Sequence, residues 1–454
     1  MAVAVRALIV AGAWLATACT TPPQTVAPVA WPVEAPPVAT ACPAEVGPFT
    51  HCLAGRDSAG AYYLVAMPER WNGILVVHAH GGPTLGPPNA KRVAEDLQRW
   101  AIVPKAGYAW IGSTFRQGGV AVRSAAEDTE RARRLFVAHV AEPRRTILHG
   151  QSWGASVAAK AAETYLVDER GRRPYDGVLL TSGVLGGGTR SYDFRLDLRV
   201  VYQYLCANHP RPDEPAYPLW MGLPPDSTLT PAELARRVDQ CLGTATPAAQ
   251  RTPEQRARLR TIVEVLRIPE RSVVGHLHWA TWTFRDIAQI RTGGRNPFDN
   301  ADVRYTGSGD DAALNAGVLR YRADPAAVAR FADDTDLGGR IPVPVLTVHA
   351  IDDPTAFVEL ESAFRETMQR AGTAEHLVQA FTDDHEHSFL ADPVYPALLE
   401  SLLAWVDGGA KPTPAAVAAR CSSLQAQFGA GCRFLPDYRS GPLAGRVAPR
   451  HPPS

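Results

Sequence analysis

The sequence predicts an α/β protein with a mostly parallel central sheet flanked by helices and a large, mainly helical cap inserted into it. Three observations predict this. Short apolar runs bounded by glycine alternate with helical spacing over residues 61–182. The same rhythm returns over residues 343–406. Between about 186 and 340 it stops, and helical patterns and proline-rich loops replace it. Strands alternating with helices imply parallel strands joined by crossovers, with both faces of the sheet covered.

Taken in order, residues 61–67 alternate as an edge strand does. Residues 73–80, GILVVHAH, form a short apolar run that fits a strand buried on both faces. A second such run covers 108–113. Residues 124–140 have helical spacing, with Leu135, Phe136, Val137 and Val140 apolar. Residues 146–149 read as a strand, 155–167 as an alanine-rich helix and 178–182 as a strand. After the insertion come a strand at 343–349, a helix at 357–371, a strand at 376–381 and a helix at 394–406. The expected division is therefore a core over 42–185 and 341–410, a cap over 186–340 and a surface tail over 411–454. A length of 454 residues suits one core with a large insertion.

The N-terminus reads as a targeting signal. Arg6 precedes an apolar run over residues 7–18, shorter than the roughly 20 residues a spanning helix needs. Leu15-Ala16-Thr17-Ala18-Cys19 resembles a lipobox, with Cys19 as the lipid-attachment residue and the leucine one place further from the cysteine than usual. Residues 1–18 are then a signal peptide, and the Pro/Ala-rich stretch 19–41 a tether. A bacterial cell-envelope location, lipid-anchored or periplasmic and secreted, is expected. Any membrane contact would be through that anchor.

Lysine plus arginine equals aspartate plus glutamate at 46 each, so charge gives no reason to expect nucleic acid or an anionic membrane as partner. Apart from Cys19, six cysteines remain, an even number suited to disulfides in an oxidising compartment. Nearest-neighbour pairing gives Cys42–Cys52, Cys206–Cys241 and Cys421–Cys432. No cysteine or histidine spacing of a zinc site occurs, and neither metal nor cofactor is expected.

The informative motif is Gly150-Gln151-Ser152-Trp153-Gly154, a G-x-S-x-G between a strand and a helix. The serine of such a turn sits on strained backbone with its oxygen exposed, and glycines leave room where neighbouring elements crowd it. A hydroxyl needs a base and an orienting acid to act as a nucleophile. After the strand at 343–349 come Asp352-Asp353-Pro354. Asp353 is favoured as the acid and Asp352 is the alternative, otherwise a turn cap. After the strand at 376–381 come His385-Glu386-His387-Ser388-Phe389. His387 is favoured as the base and His385 is the alternative. The oxyanion donors expected are the amide of Trp153 and, from the loop His80-Gly81-Gly82-Pro83, that of Gly82, with Gly81 second. Pro83 has no N–H to donate. His80 is expected to brace this loop. Trp220, Trp279 and Trp282, with His276 and His278, either line a substrate pocket or form the cap's own core.

Together, His80-Gly81-Gly82, the serine pentapeptide, the Asp352-Asp353-Pro354 turn and His387-Ser388-Phe389 resemble the α/β-hydrolase superfamily. Trp71-Asn72-Gly73, Tyr175-Asp176-Gly177 and Ser182-Gly183-Val184 are similar to bacterial secreted esterases and prolyl-oligopeptidase-type relatives. The resemblance covers about residues 60–185 and 340–407. It implies that fold, a Ser–Asp–His triad and hydrolysis of an ester or amide. The sequence departs from the pattern at Ala350, where glycine is frequent, and in the doubled histidine. A carboxylic-ester hydrolase acting on a small or oligomeric ester is the first expectation. A serine peptidase or amidase of the same fold is the second, and a non-catalytic envelope binding protein the third.

Overall fold

The computed structural model describes residues 31–450, so Cys19 and the signal segment lie outside the described residues. Among the described residues, nine strands form one sheet. They are β1 (Val38–Thr40), β2 (Thr50–Arg56), β3 (Tyr62–Pro68), β4 (Ile74–Ala79), β5 (Ala109–Ser113), β6 (Arg145–Gln151), β7 (Gly177–Thr181), β8 (Val345–Ala350) and β9 (Leu377–Thr382). Their spatial order is β1-β2-β3-β5-β4-β6-β7-β8-β9. Every pairing from β5 to β9 is parallel. The pairings β1–β2, β2–β3 and β3–β5 are antiparallel. The apolar runs ILVVHA and VLTVHA become β4 and β8, buried along their whole length as central parallel strands are. The helix Trp153–Thr164 is rich in alanine because it packs closely against β6 and the helix Val122–His139.

Between β7 and β8 the chain forms helices, including Asp193–Cys206, Pro231–Leu242 and Pro253–Leu266, around a second apolar cluster that also takes in Val120, Phe357 and Leu443. Several begin on a Thr-Pro or Asp-Pro pair. Thr230, Thr252 and Asp324 accept from the first-turn amides while Pro231, Pro253 and Pro325 occupy the first helical position. Proline lacks only an N–H that would be orphaned there anyway.

Three sequence expectations change. Residues 61–67 are not an edge strand, because β2 and β1 pair outside β3. β1 is exposed at all three positions and β2 alternates only in part, so neither carries a strong apolar signature. The tether expected over 19–41 does not extend to 41. The Glu34 carboxylate accepts from the N–H (2.7 Å) and Oγ–H (2.6 Å) of Ser58 and pairs with Arg131 at 3.1 Å, and residues 38–40 form β1. The segment 411–454 is more than a surface tail. Pro414–Phe428 is a helix capped by Thr413 that packs on the helix Val394–Val406, with Val417 and Cys421 buried.

Cys42–Cys52, Cys206–Cys241 and Cys421–Cys432 are disulfide-bonded, as expected of a chain folded in an oxidising compartment. No helix among the described residues is long and apolar enough to cross a membrane.

Candidate active site

Strand β6 ends at Gln151 and the helix begins at Trp153, so Ser152 alone makes the turn, at φ 56° and ψ −124°. A non-glycine residue rarely adopts such a backbone, and the surroundings must hold it there. Ser152 N–H donates to the Thr181 carbonyl at 2.9 Å, and Val184 N–H donates to the Ser152 carbonyl at 3.1 Å. A Cβ at Gly154 would overlap the carbonyl oxygens of Ala79 and His80, and one at Gly150 the Gly154 carbonyl. Both glycines are there because backbone passes where a side chain would be.

Loops after β8 and β9 reach this serine. His387 Nε2 lies 2.7 Å from Ser152 Oγ, and His387 Nδ1 lies 2.7 Å from Asp353 Oδ2. The other Asp353 oxygen accepts from the amides of Thr355 (2.8 Å) and Ala356 (3.0 Å). An ionised carboxylate only accepts, so Nδ1 carries the proton and Nε2 presents its lone pair to the hydroxyl. The alternatives form a second pair apart from the serine. His385 Nδ1 lies 2.9 Å from Asp352 Oδ2, both exposed. Arg271 of the cap donates to the Asp352 and His385 carbonyls at 3.1 and 2.9 Å.

Beneath Asp353 lies a histidine that the sequence reading passed over. His349, at the end of β8, is wholly buried, and acceptors face both its ring nitrogens. Nδ1 stands 3.3 Å from Glu361 Oε1. Nε2 stands 2.9 Å from the Ala356 carbonyl and 3.4 Å from Asp353 Oδ2. Two acceptors require two donors, so this ring is an imidazolium. Burial works against that charge, but the bonds and field of Asp353 and Glu361 override it and raise the pKa to about 10. Burial would likewise raise Asp353, yet His387 and His349 together hold its carboxyl well below the usual range. A polar residue inside the apolar run VLTVHA, four places before an aspartate, was the available signal.

The loop after β4 is pinned in a way that aims one amide. The Gly81 carbonyl accepts from His80 Nδ1 at 2.6 Å and Arg92 Nη2 at 3.0 Å. His80 is a neutral donor, its pKa lowered to about 4 chiefly by burial. Fixing that carbonyl fixes the opposite edge of the same planar peptide, the N–H of Gly82. Trp153 supplies the first N–H of its helix, one that no turn of the helix satisfies. Another brace, also unread in the sequence, holds the His387 loop. Arg99 donates to the Ser388 carbonyl at 2.6 Å and Gln151 Oε1 at 3.2 Å, while Gln151 Nε2 donates to Ser388 Oγ at 2.5 Å. Ser388 is itself held at φ 61°.

The cap tryptophans do not act as a set. All three pack against the cap's apolar cluster. Trp282 stacks on His278 at 4.5 Å, and Trp279 packs on Tyr192 at 4.4 Å. His276, in contrast, reaches the core, with Nε2 3.0 Å from the Pro354 carbonyl beside Asp353.

No family model matches this chain, and no curated protein matches it by sequence. In three dimensions it is similar to an esterase from Aspergillus oryzae at 12% identity, covering 84% of this chain and 86% of that one with a TM-score of 0.42. It is similar to feruloyl esterase B from Aspergillus oryzae at 13% identity, covering 84% and 87% with a TM-score of 0.46. It is also similar to puromycin hydrolase at 14% identity, covering 81% of this chain and 40% of that one with a TM-score of 0.37. These are similarities of shape, at identities too low to bear on substrate. The parallel sheet with its antiparallel flank, the serine turn after β6, and the loops after β8 and β9 that converge on it give this chain the α/β-hydrolase fold.

Proposed function

We propose that the chain is a serine hydrolase that cleaves a carboxylic ester through an acyl-enzyme. The observation that supports it most is the unbroken chain from Asp353 through His387 to Ser152, with both links at 2.7 Å. Ser152 Oγ attacks the ester carbonyl carbon while His387 Nε2 takes its proton. The amides of Gly82 and Trp153 hold the oxyanion. Nε2 then gives the proton to the departing alkoxide oxygen, and water, deprotonated by the same nitrogen, releases the acid and restores Ser152. No step calls for a cofactor.

The test is a fluorophosphonate probe together with 4-nitrophenyl esters and aminoacyl 4-nitroanilides. The expected result is a label on Ser152 that is lost in Ser152→Ala, with esters turned over faster than anilides. Turnover of anilides alone would replace the ester reading with the peptidase one. An unlabelled, folded protein that turns over neither substrate would leave a binding protein.

The brace on the His387 loop gives a further expectation. Arg99→Met frees the Ser388 carbonyl and Gln151 and lets the base drift. The expected loss is roughly 10- to 100-fold in kcat, the scale on which small misplacements act, with a smaller change in KM. An unchanged kcat would show that the loop holds itself.

Export, with lipid on Cys19 or by plain secretion, belongs to the same proposal and draws support from the three disulfides. Metabolic labelling with a fatty acid, lost in Cys19→Ala, is the result expected of the anchored form. An unlabelled protein in the culture medium is the result expected of the secreted one.

A further inference from the structure

Five arginines among the described residues are buried: Arg131, Arg133, Arg195, Arg199 and Arg237. Arg131, Arg133 and Arg237 pair with carboxylates. Arg199 has no carboxylate, but it donates to the carbonyls of Gly222 and Ala280, the hydroxyl of Thr281 and that of Tyr217. Arg195 has no carboxylate and only one weak hydrogen bond. It is 4% exposed, its one hydrogen bond is Nη1 to the Ser191 carbonyl at a long 3.4 Å, and its Nε meets no acceptor. Aromatic rings surround the guanidinium instead, with Cζ 4.3 Å from the ring centre of Trp279, 4.5 Å from Phe194 and 5.6 Å from Tyr192. Rings attract a cation through their faces but accept no in-plane hydrogen bonds, so Nε remains without an acceptor. Burial pulls the pKa down to about 9, with only Tyr192 opposing, which still leaves the group charged at neutral pH. A buried cation without a counter-charge is strongly unfavourable, and folds keep such groups where they have a task.

Its position says what the task is. Arg195 is on the first turn of the helix Asp193–Cys206, which comes after β7, the strand beside the one that leads into Ser152. That turn rests on the acid loop. Phe194 packs on Phe357 at 4.6 Å and on His276 at 5.0 Å, and His276 is bonded to the Pro354 carbonyl next to Asp353. His276 lies in the fields of Arg195, Asp353 and His387 together, which puts the cation within electrostatic reach of the ring that bonds the acid loop. Trp279, the nearest ring to the guanidinium, opens a π-helical segment, Trp279–Thr283, a distortion that recurs at functional sites.

We propose that Arg195 binds a carboxylate of the substrate, and that the ester cleaved at Ser152 is therefore an acidic one. A planar guanidinium whose Nε has no acceptor can turn its fork of N–H groups to both oxygens of a carboxylate, as bidentate pairs require. This rests on the hydrolase reading for the reaction but not for the binding. The carboxylate belongs either to the acyl part, as in a hemiester of a dicarboxylic acid, or to the leaving group.

Two matched pairs of esters distinguish these sources. The acyl pair is 4-nitrophenyl hemiglutarate against 4-nitrophenyl hexanoate. The leaving-group pair is the butyrate ester of 4-hydroxybenzoate against that of its methyl ester. The expected result is a kcat/KM preference of about 10- to 100-fold for the charged member of one pair, the scale of a charge-assisted bidentate contact. The preference should collapse in Arg195→Met and be partly kept in Arg195→Lys. A preference for the neutral member in both pairs overturns the proposal and leaves the esterase standing. Binding gives a readout without turnover. Glutarate should raise the melting temperature of Ser152→Ala but not of Ser152→Ala/Arg195→Met. That shift in a protein that hydrolyses no ester would keep the carboxylate site and reject the ester reading. No shift together with no preference rejects the site.

Discussion

His387→Ala is expected to lower kcat/KM for an ester by roughly 10⁴- to 10⁶-fold, the scale on which triad members act, while His385→Ala stays within about threefold of the parent. The two histidines stand two places apart, each beside an aspartate, and only their surroundings separate them. His385 and Asp352 are exposed, so their pairing is screened by water and bears on no bond to the serine. Asp353 is buried, accepts two amides and the His387 N–H, and so fixes the tautomer in which Nε2 faces Ser152. Ser152→Ala should fall as far as His387→Ala, and the double variant hardly further, because residues that act as a unit do not lose activity additively. Initial rates on a 4-nitrophenyl ester measure all four proteins. A His387→Ala protein that keeps a tenth of the activity, beside an inactive His385→Ala, would exchange the roles.

His349→Leu is the second large effect, on stability. The imidazolium sits between Asp353 and Glu361, and Glu361 is bound further by Thr347 (2.7 Å) and Gln379 (2.6 Å). Removing the cation leaves two buried carboxylates without their counter-charge, for which about 3–5 kcal/mol of destabilisation is expected. The pH dependence has a definite sign. The pKa rises from 6.5 in the unfolded chain to about 10 in the folded one, so the stabilisation is complete below about 6.5 and fades as pH climbs through 10. Urea unfolding at pH 6, 8 and 10 should therefore show the gap between parent and His349→Leu narrowing toward pH 10. Adding Glu361→Leu should recover part of the loss, since it removes one of the stranded charges. A gap that widens with pH would mean that His349 is neutral in the folded protein.

Much of the architecture was legible because it is local. Seven of the strands, β3 to β9, follow apolar or alternating runs the sequence displays, and the serine turn follows from glycines whose Cβ atoms would strike backbone a few residues or one strand away. The helix Pro414–Phe428 was legible too, from Thr413-Pro414, but went unread within a segment taken for a tail. β1 and β2 were hardly legible. Their residues carry little apolar pattern, and what makes them strands is the ladder to β3.

By itself the sequence determined the nucleophile turn, the α/β alternation and the two short loops from which an acid and a base had to come. All of these rest on steric and periodic rules acting over a few residues. Only the tertiary structure decided which aspartate and histidine meet Ser152, that His349 is charged beneath them, and that Arg195 is buried without a counter-charge. Each of these depends on groups far apart in the chain, His387 from Ser152 by 235 positions. Burial and charge pairing are properties of the assembled environment, and no window of sequence contains it.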